Sequence, residues 1–264
     1  MLQYALPVLF TLFVWWFSTG VILMLDGLPR WTFKWTMLGA TVVLALSLAG
    51  LAFTANDTRT SGAYSAFLFA ILVWAWQEIA FLLGFVTGPR CTPLPAGAEG
   101  WRRAWYALQT VLHHELALIV LGAAVVAVTW GGSNPTGLWT FMILWAMRQS
   151  AKLNVFLGVR NLAEDFLPAH LRYLQSYFRR RPMNALFPVS VMGSTLCVVA
   201  VWQAAFAQGV DRFDVASLTF AGTLLTLAIV EHWFMVLPLR FERLWQWGLR
   251  GRTAAVASGA VSSP

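Results

Sequence analysis

The sequence predicts an all-α integral membrane protein: a seven-transmembrane helix bundle, N-terminus periplasmic and C-terminus cytoplasmic. Three observations predict it. The 264 residues are 59% hydrophobic and 11% charged, too little polar surface to cover a water-soluble domain. Seven stretches are long and apolar enough to cross a bilayer, which takes about 20 residues. The basic residues fall almost wholly on one side of those stretches.

The predicted spans are residues 5–25, 33–55, 64–87, 104–130, 136–159, 185–208 and 215–238. The first reads as a retained helix: no Lys or Arg precedes it and no small-residue cleavage site follows. Turn residues such as Asn56-Asp57 and Gly131-Gly132-Ser133-Asn134-Pro135 punctuate the spans. One side of the bundle carries Arg59 and Arg212. The other carries Arg30, Lys34, Arg90, Arg102, Arg103, Arg160, Arg172, Arg179, Arg180, Arg181, Arg240, Arg243, Arg250 and Arg252. Basic residues collect on the cytoplasmic side, which fixes the expected orientation. Trp101-Arg102-Arg103 reads as an interfacial anchor.

The chain up to residue 250 reads as a single domain. Its one long connection, 161–181, alternates apolar residues with Arg172, Arg179, Arg180 and Arg181. That pattern predicts an amphipathic surface helix broken at Pro168. Residues 251–264 are small and polar and predict a disordered tail. The isoelectric point near 10.1 fits a cytoplasmic face against anionic membrane lipid. It does not suggest nucleic acid, because no separate basic domain exists. Cys91 and Cys197 fall at different expected depths and read as free thiols.

Four charged stretches interrupt the spans at one expected depth, roughly 8–17 Å from the cytoplasmic edge at about 1.5 Å per residue. They are Glu78; His113, His114 and Glu115; Arg148 and Lys152, with Asn154 one turn on; and Glu231 with His232. Charge inside a bilayer is costly enough to mark a functional site. These nine residues form the expected buried polar site. Successive helical residues lie 100° apart, so at most two of His113, His114 and Glu115 point at one centre.

Three chemistries fit. Glu78, His114, Glu231 and His232 on facing helices are suitable ligands for iron, manganese or zinc, although no complete ligand motif is present. One histidine could ligate a tetrapyrrole, with Trp74, Trp145 or Trp233 beside it. Alternatively, the three acids and two bases pair as a structural ion network, with Glu231 the expected partner of Lys152. Of the 15 Trp, residues 31, 35, 101, 105, 139, 245 and 247 fit interfacial belts, and Trp74, Trp76, Trp145 and Trp233 lie deep.

The stretches FLLGFVTGPR (81–90), LHHELAL (112–118), RQSAKLNVFLGVRN (148–161) and EHWFMVLP (231–238) carry a resemblance. They resemble the PuhE-type photosynthetic complex assembly proteins of phototrophic bacteria, over all seven spans. The resemblance implies a factor of the inner membrane, cytoplasmic or intracytoplasmic, that supports photosynthesis. It would assist reaction-centre or light-harvesting complex formation or bacteriochlorophyll supply. Partners would be reaction-centre or light-harvesting subunits or pigment-synthesis enzymes. The resemblance assigns no residue roles. The rivals are a metal-dependent membrane enzyme acting on a tetrapyrrole or isoprenoid, and a scaffold with a buried ion-pair network.

The orientation is testable. A reporter fused after Arg181 should read cytoplasmic and one at Ser133 periplasmic. Reversed signals would overturn the charge count.

Overall fold

The structure, a computed structural model, describes residues 1–239 and 241–249. Each hydrophobic stretch forms one α-helix: α1 (Leu2–Asp26), α2 (Phe33–Thr54), α3 (Thr60–Leu82), α4 (Gly100–Val128), α5 (Thr136–Leu157), α6 (Leu186–Ala205) and α7 (Arg212–Phe234). Among the described residues there is no strand, only an isolated bridge between Val159 and Arg180. Six of the helices are long and apolar enough to cross a membrane, so the chain is a multi-pass membrane protein. The helix left out is α5. Arg148, Gln149, Lys152 and Asn154 crowd its second half and lower its hydropathy.

The core is built on α3 and α7, the most deeply buried of the candidate spans. Small residues on α3 (Ala63, Ala66, Ala70) are completely or almost completely buried and let its neighbours approach. Phe67 stacks on Phe220 with ring centroids 4.4 Å apart, joining α3 to α7. Outside this core, α2 exposes Leu38, Val42 and Leu46, and α6 exposes Val189, Met192 and Leu196. Large exposed apolar residues in rows are what a lipid-facing surface requires.

Helix ends set the connections. A helix leaves about four carbonyls and four amides without internal partners, and hydrocarbon offers none. Asn134 answers this between α2, α3 and α5. Its amide donates to the carbonyls of Thr54 (3.0 Å), Asp57 (3.1 Å) and Gly62 (3.2 Å), while its oxygen accepts from the Thr136 amide. Asn184 repeats the device between α5 and α6. It donates to the carbonyls of Asn154 and Gly158 and accepts from the amides of Leu186 and Phe187. Asn161 donates to the carbonyls of Phe234 (2.7 Å) and Leu237, closing the end of α7.

The structure corrects three expectations. The 161–181 connection is not an α-helix on the surface. It forms two 3₁₀ segments, Glu164–Phe166 and Ala169–Tyr177, either side of Pro168. Leu171, Leu174 and Tyr177 are buried at a spacing of three, which a 3₁₀ helix places on one face. Arg103 is not an interfacial anchor but is 5% exposed, donating to the Phe156 and Tyr177 carbonyls above the Phe156 ring. Trp245 is buried rather than interfacial, and Trp247 packs so closely on Gly20 that an added Cβ would lie 1.9 Å from its ring. Trp31, Trp35, Trp101, Trp105 and Trp139 are exposed, as belt residues are. Cys91 and Cys197 are free. The expected disordered tail, 251–264, lies outside the described residues.

Asn134→Ala strips one donor group from three carbonyls and should cost about 2–4 kcal/mol. Asn184→Ala should behave alike. Asn56→Ala, on an exposed loop, should stay within about 0.5 kcal/mol. Unfolding midpoints in detergent check the ranking.

Candidate functional site

A cavity of about 450 Å³ lies between α1, α3, α5 and α7. Its floor is the 161–178 connection, through Leu162, Phe166, Leu174 and Phe178, and Trp245 closes one side. Most of the wall is apolar. Four charged residues stand on it: Glu78 of α3, Arg148 and Lys152 of α5, and Glu231 of α7.

Two ion pairs cross the helices. Arg148 Nη2 donates to Glu78 Oε2 at 3.0 Å, tying α5 to α3. Lys152 Nζ donates to Glu115 Oε1 at 2.7 Å, tying α5 to α4, and Gln149 donates to the other Glu115 oxygen. Arg148 and Lys152 are four residues apart and share a face of α5, which is why one helix reaches acids on two neighbours. Lys152 therefore pairs with Glu115 and not with Glu231, against the expectation from sequence.

Among the described residues Glu231 has no cationic partner. Its Oε1 accepts from Trp15 Nε1 at 2.7 Å. Protein atoms crowd around it, yet it remains exposed, because it stands on the cavity wall.

The other expected site residues lie off the cavity wall. His114 is 2% exposed, against Phe81 at 4.7 Å between centroids, and its Nδ1 has no hydrogen-bond partner among the described residues. Its backbone amide donates to the Thr87 carbonyl, because residues 87–90 dock onto this turn of α4. Gly88 permits that approach: a Cβ there would lie 2.1 Å from the Gln109 carbonyl oxygen. His232 is engaged at both ring nitrogens, with Ala228 O (2.8 Å) at Nδ1 and Ser150 Oγ (2.8 Å) at Nε2. The carbonyl can only accept, so Nδ1 carries the proton and Nε2 accepts from Ser150. Asn154 is fully buried, donating to Ser190 and the Ser150 carbonyl and accepting from Asn184. It is part of the joint between α5 and α6. His113 is exposed and does not join a buried site. The mid-helix face of α4 that it occupies is next to exposed Leu116 and Ile119.

Among the described residues no three His, Cys, Asp or Glu side chains come close enough to hold a metal ion. Of the four donors expected, Glu78 is held by Arg148, Glu231 accepts from Trp15, His232 is bonded at both ring nitrogens, and His114 is not among the residues that line the cavity. The arrangement joins mostly apolar walls, a charged strip and an open volume.

Sequence reasoning missed the aromatic side of the site. Trp15 and Trp245 meet edge to face at 5.1 Å, and Phe166 approaches Trp245 at 5.9 Å. Trp245 Nε1 donates to Trp16 O and Trp16 Nε1 donates to Leu244 O, each at 2.9 Å. This reciprocal clamp holds the Phe241–Trp245 turn to α1. Trp15 sits in a mostly apolar span, and nothing local marks it as a wall residue.

Lys152→Met leaves Glu115 without its cation and should cost about 2–4 kcal/mol, reduced from a fully buried pair by the partial exposure of both groups. Lys152→Met with Glu115→Leu should recover most of that loss. Lys152→Met with Glu231→Gln should not. A double-mutant cycle on unfolding midpoints separates the two pairings.

Two comparisons with known proteins find similarity over most of the chain. A protein of Rhodobacter capsulatus, named as an uncharacterized 30.4 kDa protein in the puhA 5′ region, is 40% identical over 248 residues, covering 92% of this chain and 90% of the relative. No solved structure matches the chain. Residues 1–256 match the family described as "Protein of unknown function (DUF3623)", and the chain belongs to that family.

Proposed function

We propose that this protein supports the assembly of photosynthetic reaction-centre or light-harvesting complexes by holding a lipophilic molecule, pigment or pigment precursor, in its central cavity. It acts in the bacterial inner membrane, cytoplasmic or intracytoplasmic, with seven crossings, the N-terminus periplasmic and the C-terminus cytoplasmic. The observation that carries the reading is the cavity itself. Its volume of about 450 Å³ falls within the range of small-molecule sites, and its apolar wall carries few, grouped polar residues. The relative's place in the puhA 5′ region supports a photosynthetic setting. So does the resemblance to PuhE-type assembly proteins. Partners would be complex subunits or pigment-synthesis enzymes, which could receive the molecule from the membrane side.

The scaffold is the second reading, and one observation favours it: both bases on the cavity wall already have acid partners. The two readings differ on whether the empty volume is used. Deleting the gene in a phototrophic host should lower the near-infrared absorbance of assembled complexes in isolated membranes. Restoring the natural chain should recover it. Ala75→Trp, which fills the cavity from α3, should accumulate in the membrane yet fail to restore absorbance. Full restoration by Ala75→Trp would favour the scaffold, and unchanged absorbance on deletion would overturn the photosynthetic role.

A further inference from the structure

We infer that the cavity takes an amphiphile bearing a positively charged nitrogen, with Glu231 and Trp15 as the pair that recognises it. The inference rests on the reading of the cavity as a lipophile site and names the chemistry of its occupant.

Charge complementarity carries it. Glu78 is matched by Arg148 and Glu115 by Lys152, each at hydrogen-bond distance. Among the described residues Glu231 has an indole N–H donor and no ion pair; Arg148 acts on it only through space and is bonded to Glu78. A carboxylate accepts about four hydrogen bonds, and one neutral donor leaves most of that capacity open toward the cavity. In a low-dielectric setting an acid without a cation attracts one strongly.

The surroundings select the same class. Trp15 stands beside Glu231 on the cavity wall, with Trp245 edge to face against Trp15 and Phe166 against Trp245. Aromatic faces attract ammonium groups, most strongly where water is excluded. A carboxylate beside an indole is suited to a cation and repels an anion. Most of the remaining wall, including Ile71, Leu224 and Met147, is apolar and takes a hydrocarbon body. Arg148 and Lys152 do not compete for an anionic head, since their charges are met by acids.

Three photoreactive probes with the same diazirine-bearing alkyl chain test this: a primary amine, an alcohol and a carboxylate. The full chain is held in nanodiscs of phosphatidylglycerol, so the host lipid has no amine. The amine should label peptides of α1 and α7 at about tenfold lower concentration than the alcohol, and the carboxylate least. Glu231→Gln keeps an acceptor for Trp15 and should erase the amine's advantage while the alcohol still labels. Equal labelling by amine and alcohol in the natural chain overturns the inference without any variant. It leaves the lipophile site standing. Failure of every probe to label the cavity overturns the site as well. Added phosphatidylethanolamine distinguishes the sources of the nitrogen. Competition identifies a lipid headgroup, and its absence identifies a separate amphiphile; either result supports the site.

Discussion

Unpaired backbone groups at helix ends are the constraint on which this structure depends. In an apolar bundle a bare carbonyl has no water to turn to, so each helix end needs a protein donor. Three asparagines and one arginine provide them. Asn134 links the ends of α2, α3 and α5, Asn184 links α5 to α6, and Asn161 closes α7. Arg103 reaches from α4 to carbonyls at Phe156 and Tyr177. Because these donors fix where α5 starts and stops, they also fix the height at which Arg148 and Lys152 meet their acids.

Among the described helices α5 is therefore the one least able to sit in lipid unaided. α5 has the polar residues that lower its hydropathy, and all of them are used inside. Arg148 joins α3, Gln149 and Lys152 join α4, Ser150 reaches His232 on α7, and Asn154 joins α6. A helix that bonds to four neighbours acts as the polar axis of an otherwise apolar molecule. Removing any one partner leaves a charge or dipole in a place where its replacement by water is costly.

The helices were legible because hydrophobic length is a strong signal and short turns separate the stretches. The charged positions at the cavity were legible for the same reason: Glu78, Arg148, Lys152 and Glu231 stand out against apolar neighbours. Their pairing was not. Depth along a helix can be counted from sequence, but the direction a side chain faces depends on how neighbouring helices rotate, and that put Lys152 with Glu115 instead of Glu231. His114 and His232 were expected at the cavity by depth alone; rotation turns them into the packing. The 161–181 segment misled because its apolar spacing fits both an α-helix and a tighter 3₁₀ turn. Trp15 and Trp245 were invisible as a pair, being separated by almost the whole chain.

That separation has a consequence for how the molecule is made. The bonds between Trp16 and residues 244–245 span 228 and 229 positions, and Trp245 forms a side of the cavity. During synthesis the first helix enters the membrane long before the segment that completes its wall. Until residues 241–249 dock, the space beside Glu231 stands open between α1 and α7. Among the described residues the cavity is thus completed late, by the segment that follows α7. Any molecule enclosed there is taken up by a chain that includes Trp245, and a nascent chain stalled before it presents Glu231 and Trp15 without the side that Trp245 closes.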